Sequence, residues 1–273
     1  NGGRSDLSEV VATDGARTLL FMPLAHVFAR FIEVLCVTEA GVLGHTPSTA
    51  NLVADLQSFK PTFLLAVPRV FEKVYNSAAQ KAPGGIKKKI FGFATRAAIS
   101  YSKALATPAG PSAVQKAQLK VAHKLVLHKL VTAMGGQLKY AVSGGAPLGE
   151  RLGHFYRGMG VTVLEGYGMT ETTAPTTVNL PKDIRIGTVG PSYPGTTVRI
   201  APDGEIQIAG PHVFRGYHNN PEASAEAFTE DGWIRSGHLG ALDDAGYLTI
   251  TGRRKEIIIT AGGKNVAPAV LED

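Results

Sequence analysis

Two glycine-rich stretches carry the densest chemistry in this chain. "YAVSGGAPL" occupies residues 140–148 and "LEGYGMTETTAP" residues 164–175. Each reads as a strand running into a loop of small residues. Gly144, Gly145, Gly166 and Gly168 remove side chains where a flat ring or a phosphate has to approach the backbone closely. Tyr167 offers an aromatic face for stacking. Thr170 supplies a hydroxyl and Glu171 a carboxylate, the groups that phosphate and Mg²⁺ need. Either loop alone is better explained as a structural turn. A third stretch, "SGHLG" at residues 236–240, puts His238 on the rim of an expected hairpin. It lacks a neighbouring His or Cys at ligand spacing, which argues against a metal site there.

Such loops need strands to hold them. Residues 18–75 alternate strand-like runs ("TLLFMPL", "PTFLLAVP") with helical ones ("VFARFIEVLCV", "TANLVADLQSF"), the pattern of βαβ units and a parallel sheet. Ligands bind at the carboxyl ends of strands in such folds. Residues 76–135 read as helical with a break at "TPAGPS", and "LGERLGHFYRGMG" as a further helix. From about residue 186 the texture becomes antiparallel. "TVRIAPDGEIQIAG" and "GALDDAGYLTITG" are hairpins around Pro202-Asp203-Gly204 and Asp244-Ala245-Gly246. "RRKEIIITAGGKNVAP" adds a charged hinge, a strand and a glycine turn. The expected class is α/β: a parallel-sheet α/β body over about 1–185, an antiparallel β subdomain over about 186–254, and the start of a small further domain over 255–273.

The 273 residues suffice for one large domain or two smaller ones, and 44% hydrophobic with 18% charged residues indicates a globular chain. No apolar run approaches a membrane span. The N-terminus lacks the pattern of a signal peptide. A single cysteine, Cys36, fits a reducing cytoplasm. The net charge of +6 suits an anionic partner or cofactor. Lys116, Lys120 and Lys124 fall at i, i+4 and i+8, beside an apolar stripe of Leu119, Ala122, Val126 and Leu130. That is either a solvated helix face or a surface that rests on anionic lipid, a peripheral membrane contact. The basic stretches lack interleaved aromatics, which disfavours nucleic acid.

The combination of motifs is far more specific than any one of them. "PLAHVFAR", "GYGMTETTAP", "DGWIRSGHLG" and "TGRRKEIIITAGGKN", in this order and at this spacing, resemble the core motifs of the adenylate-forming superfamily of acyl-CoA synthetases, luciferases and peptide-synthetase adenylation domains. "VPRVFEKVYN" and "SGGAPLGERLGHFYRGMG" are similar to bacterial long-chain fatty acyl-CoA ligases within it. The resemblance covers nearly the whole chain. It implies an incomplete large adenylation domain over 1–254, with hinge and truncated small domain after it. The implied reaction converts ATP and a long-chain fatty acid to acyl-adenylate, then transfers the acyl group to CoA. By the same resemblance Gly144, Gly145, Ala146 and Pro147, together with Gly166, Tyr167, Gly168 and Met169, hold the adenine side of the nucleotide. Thr170 contacts phosphate, Glu171 holds Mg²⁺, and Arg253 reaches the ribose. His26 lies near the acyl carboxylate, and Lys255 sits at the hinge. Amino-acid-activating relatives carry an aspartate near "PLAHVFAR"; its absence here fits an uncharged acyl tail.

The chain departs from the family pattern in three places. Residues 1–20 show no Ser/Thr/Gly-rich phosphate loop, and the distal catalytic lysine has no counterpart before Asp273. A fragment without catalytic activity of its own is the expectation. The third departure is His238, where the family pattern has an aspartate that accepts hydrogen bonds from both ribose hydroxyls. Two other readings therefore stay open. One is an acyl-AMP ligase that loads a carrier protein, which the lack of an insertion in the antiparallel region disfavours. The other is a non-catalytic nucleotide-binding relative, which His238 favours.

Overall fold

A computed structural model describes residues 15–254 and, beyond them, the backbone of two short strands, Ile258–Ile259 and Asn265–Val266. The chain divides into two compact units at the junction of Leu164 and Glu165.

The first unit is built on parallel strands. β1 (Arg17–Leu20) pairs in parallel with β2 (Val42–His45), and β3 (Phe63–Ala66) with β4 (Tyr140–Ser143). The crossovers are helical: α1 (Val27–Thr38) joins β1 to β2, and α2 (Leu52–Phe59) joins β2 to β3. All four residues of β3 are buried, as a parallel strand covered on both faces requires. Four helical stretches lie between β3 and β4: α3 (Pro68–Gln80), α4 (Gly85–Ala104), α5 (Ala113–Ala122) and α6 (His128–Ala133). Pro68 opens α3 at a position where its missing N–H costs nothing. The expected break at "TPAGPS" falls between α4 and α5. A second break, around Pro83 and Gly84, separates α3 from α4 and was not anticipated.

α5 and α6 are one continuous run interrupted by a π-helical turn over His123–Leu127. The expected apolar stripe packs inward: Ala122 and Leu130 are buried, and Leu119 and Val126 are partly so. The extra residue in the turn also carries Leu127 into the core, at 0% exposure. It shifts the phase of the lysine stripe as well. Lys116 and Lys120 lie on regular helix, whereas Lys124 lies within the wider turn.

α7 (Glu150–Met159) closes the first unit. Phe155 and Tyr156 on it stack edge-to-face with Tyr75 and Phe71, with ring centroids 5.0 and 5.3 Å apart. The Tyr156 hydroxyl donates to the Phe71 carbonyl at 2.6 Å, so the one polar atom on this fully buried ring is satisfied. α7 crosses α4 at Gly158, where any Cβ would overlap the Ala98 backbone. Alanines 94, 97 and 98 on α4 complete the close crossing.

His154 on α7 is 9% exposed and shares a 3.0 Å hydrogen bond with the buried Ser102 hydroxyl. Burial, followed by repulsion from Lys103, holds its pKa below the usual histidine value of 6.5. The folded state therefore disfavours the protonated ring, and the unfolded chain binds the proton more readily. Stability is fully present above about pH 6.5 and is lost as pH falls from there towards the lower folded value. Urea melts at pH 7.5 and 5.5 check this: the midpoint drops with acidification, and drops less in His154→Gln.

The second unit is antiparallel. β5 (Thr162–Met169), whose C-terminal half enters it, pairs with β6 (Ala174–Val178) in the register Gly166↔Val178. β7 (Thr197–Ile200), β8 (Glu205–Ala209), β9 (Ile234–Leu242) and β10 (Leu248–Arg253) form a sheet in the order β10-β9-β8-β7, every pair antiparallel. Both expected hairpins are present. Antiparallel structure begins at β5–β6, before residue 186, because "APTTV" turns straight back on the strand that precedes it. A short helix, α8 (Pro221–Ala227), interrupts the strands between β8 and β9. Tyr167, Ile206, Ile208, Ile234 and Leu248 form the core of this unit.

Candidate active site

Thr170 and Glu171 stand on a single 3₁₀ turn, Thr170–Thr172, at the end of β5. The buried Thr172 hydroxyl fixes that turn: it accepts from the Met169 N–H at 3.1 Å and from the Thr176 hydroxyl at 3.0 Å. Two non-glycine residues then follow with positive φ, Thr173 at 54° and Ala174 at 87°. Such conformations cost on the order of 1–3 kcal/mol each and cluster where function demands them. They swing β6 back so tightly that a Cβ on Gly168 would overlap the Ala174 carbonyl. Gly168 was expected to open the backbone to a ligand. In the structure the space its side chain would take is filled by β6, so its absence serves the strand pairing. Gly166 is placed likewise, with a Cβ meeting the Thr177 carbonyl at 3.1 Å.

The result is a turn that leaves Thr170 exposed and Glu171 half-buried. The loop that follows β8 grips it. The Phe214 N–H donates to the Glu171 carbonyl at 2.7 Å, and the Thr173 hydroxyl donates to the His212 carbonyl at 2.9 Å. The Tyr217 hydroxyl donates to Glu171 Oε1 at 2.8 Å. That bond to the carboxylate raises the Tyr217 pKa. Phe214 braces Tyr217 edge-to-face at 4.8 Å and stacks on Phe228 at 5.6 Å. Tyr217 is not marked by any motif in the sequence. An aromatic hydroxyl following a glycine in "FRGYHNN" was the available signal, but its partner lies 46 residues away.

His238 stands on β9 directly opposite Arg253 on β10. Cross-strand neighbours share a face of the sheet, so the two expected ribose contacts are brought together. Three bonds hold the "SGH" segment. Ser236 Oγ donates to the Ile206 carbonyl at 2.6 Å and accepts from the His238 N–H at 3.1 Å, while the Gly237 N–H donates to the Glu205 carboxylate at 3.0 Å. Glu205 is 2% exposed, and its carboxylate also lies 3.5 Å from the Arg254 guanidinium. Neither Ser236 nor Glu205 was marked in the sequence. His238 Nδ1 lies 3.1 Å from the Tyr167 hydroxyl, with the rings edge-to-face at 5.3 Å. Burial pushes the Tyr167 phenol up to about 12, with Glu171 adding to the rise and Arg253 opposing it. Tyr167 is 6% exposed, so it is wedged into the core of its unit rather than standing free as a platform.

The other expected residues lie in the first unit or beyond the described residues. β4 ends at Ser143, whose buried hydroxyl has no partner in the described structure. Gly144 is buried, and Gly145, Ala146 and Pro147 are exposed immediately after it. His26 caps α1, its Nδ1 accepting from the Phe28 N–H at 3.2 Å, and is exposed. Lys255 lies outside the described residues. Among the described residues no group of three or more His, Cys, Asp or Glu could hold a metal. A Mg²⁺ that binds largely through substrate phosphates needs only one or two carboxylates. The donor set fits such an ion: one oxygen of Glu171 is held by Tyr217, and the Thr170 hydroxyl lies exposed beside it.

Residues 4–218 match the family described as AMP-binding enzyme. The chain belongs to that family. Members of the AMP-binding family resemble it over nearly its full length. Long-chain-fatty-acid–CoA ligase FadD15 of Mycobacterium tuberculosis is 52% identical over 259 residues, covering 95% of this chain and 43% of that protein. Long chain acyl-CoA synthetase 3 of Arabidopsis thaliana is 34% identical, covering 93% of this chain and 40% of its own length. The chain thus spans less than half the length of these relatives. Among solved structures, ATP-bound MatB from Rhodopseudomonas palustris superposes with a TM-score of 0.67 at 27% identity, over 97% of this chain and 46% of that one. The MenE synthetase of Bacillus subtilis with ATP and magnesium gives 0.65 at 21% identity, over 96% and 46%, a likeness of fold alone. Both the α/β class and the mixture of parallel and antiparallel sheets are those of the AMP-binding enzymes.

Proposed function

We propose that the protein containing this chain is a long-chain fatty acid–CoA ligase. The observation that carries the reading is the 52% identity to FadD15 across a segment that includes the whole Thr170–Thr172 turn. In the first half-reaction an oxygen of the fatty carboxylate attacks the α-phosphorus of ATP, and pyrophosphate leaves. In the second, the CoA thiol attacks the acyl carbonyl, and AMP leaves. Bound Mg²⁺ would neutralise charge developing on the phosphate oxygens. Glu171 holds the ion, and Tyr217 keeps its carboxylate oriented. Thr170 donates a hydrogen bond to phosphate from the same turn. His238 and Arg253 face the ribose, and Tyr167 borders the adenine. His26 lies at the carboxylate end of the acyl site. Residues 1–254 belong to the large adenylation domain, and Lys255 is the hinge to a small domain. The acyl tail is uncharged, because "PLAHVFAR" carries no carboxylate to receive an amino group.

The enzyme works in the cytoplasm, in peripheral contact with the membrane where its substrate partitions. Fatty-acid-dependent pyrophosphate exchange by the full-length protein, across a panel of chain lengths, tests the ligase reading. Exchange confined to long chains, followed by thioester formation with CoA, supports it. Exchange without thioester, but with loading of a carrier protein, would replace CoA as acceptor.

A further inference from the structure

From residue 73 to residue 149 the chain has no aspartate or glutamate, yet eleven lysines and one arginine fall there. This segment of the first unit therefore holds a charge of +12, against +6 for the whole chain, and the remainder is net negative. Such asymmetry marks a surface for an anionic partner.

The structure shows what lies among these charges. α4 and α5 form an antiparallel hairpin, tied where Gln115 Nε2 donates to Ser100 Oγ at 3.0 Å and to the Ser100 carbonyl at 3.3 Å. Val114, Val121 and Leu125 are 64%, 50% and 46% exposed. They follow at seven and four residues, a single stripe along α5 and into the π turn. Lys116, Lys120 and Lys124 run beside that stripe, all exposed. At the start of α4, Ile86 is 76% exposed and is followed by Lys87, Lys88 and Lys89, also exposed. Ala94, Ala98 and Ala122 on the hairpin, with Leu127 and Leu130 just beyond it, are the residues buried in the core, and Ile86, Val114, Val121 and Leu125 lie outside that cluster.

We infer that the α4–α5 hairpin is a docking face for an anionic lipid bilayer. Aliphatic side chains flanked by lysines match the acyl boundary and the headgroup layer respectively. Nucleic acid would use the lysines but gain nothing from exposed valines and leucines, and it would call for aromatic stacking that this face lacks. No helix among the described residues is long and apolar enough to cross a membrane. The inference rests on the ligase reading for its purpose, delivery of an insoluble fatty acid, but its test does not.

Full-length protein is mixed with phosphatidylcholine vesicles containing about one-third phosphatidylglycerol, and partition is measured by flotation. Binding is expected to the mixed vesicles and to fall steeply with salt. Lys116→Glu, Lys120→Glu and Lys124→Glu together should lower the partition coefficient by at least tenfold, since each lysine near such a surface is worth roughly fivefold. Val121→Ser with Leu125→Ser should lower it severalfold at unchanged charge. Equal binding to pure phosphatidylcholine, no binding, or indifference to the serine pair would overturn the inference. So would binding to a single-stranded oligonucleotide that the lysine changes abolish while vesicle binding persists. Pyrophosphate exchange without vesicles should be unchanged in every variant. Its absence throughout, wild type included, would count against the ligase reading and leave the vesicle result standing.

Discussion

Glu171→Gln in the full-length protein is expected to lower pyrophosphate exchange by about 10²–10³-fold, the range typical for removal of one preorganised electrostatic contact to a transition state. The substitution keeps the size of the side chain and one acceptor oxygen for Tyr217, and removes the charge. The turn should survive, because it is held by the Thr172 hydroxyl and by the Phe214 N–H, which binds the Glu171 carbonyl and not its side chain. Thermal stability should therefore change little. Tyr217→Phe separates orientation from charge. It deletes one hydroxyl, 2.8 Å from Oε1, and leaves the carboxylate in place. It should raise the Mg²⁺ concentration needed for half-maximal exchange severalfold while the rate at saturating Mg²⁺ stays near wild type. Titrations of exchange against Mg²⁺ for the two variants supply the check. Unchanged exchange in Glu171→Gln at all Mg²⁺ concentrations would remove Glu171 from the metal role.

His238→Asp is expected to tighten ATP binding by about 10- to 150-fold. A carboxylate brings two acceptor oxygens, whereas neutral imidazole brings one acceptor nitrogen and imidazolium none. A hydrogen bond to a charged group contributes about 1.5–3 kcal/mol, which sets that range. The structure sharpens the argument. His238 Nδ1 is already engaged with the Tyr167 hydroxyl, so that nitrogen is committed within the fold. A carboxylate at this place has one oxygen for Tyr167 and a second for the nucleotide. The gain should disappear with 2′,3′-dideoxy-ATP, which has no ribose hydroxyls. Calorimetric titration of both nucleotides against both proteins measures it. Equal affinities throughout would leave His238 as a partner of Tyr167 and no more.

The legible parts of the fold were those set by local pattern. The βαβ alternation, the two hairpins around Gly204 and Gly246, and the apolar stripe on α5 all follow from periods of 2 and 3.6 residues and from turn chemistry. The parts that were not legible depend on contacts between distant residues. Tyr217 gains meaning only from a carboxylate 46 positions earlier, and Glu205 only from an N–H 32 positions later. Gly168 was read as room for a ligand because a glycine declares an absence, and the sequence does not say what fills it. The π turn is hidden in the sequence for a related reason. One surplus residue leaves both flanking helices in perfect local pattern, and only the burial of Leu127 reveals the change of phase.

That turn also sets where this helical run tolerates a change of length. A π-helical turn is an α-helix that has absorbed a single insertion without unwinding. Losing one residue anywhere in His123–Leu127 restores regular helix on both sides, and Leu130 and Met134 keep the faces they present to the core. Loss of one residue at this point is therefore a conservative difference, whereas the same loss in α4, where Ala98 meets Gly158, would rotate a packed face by about 100°.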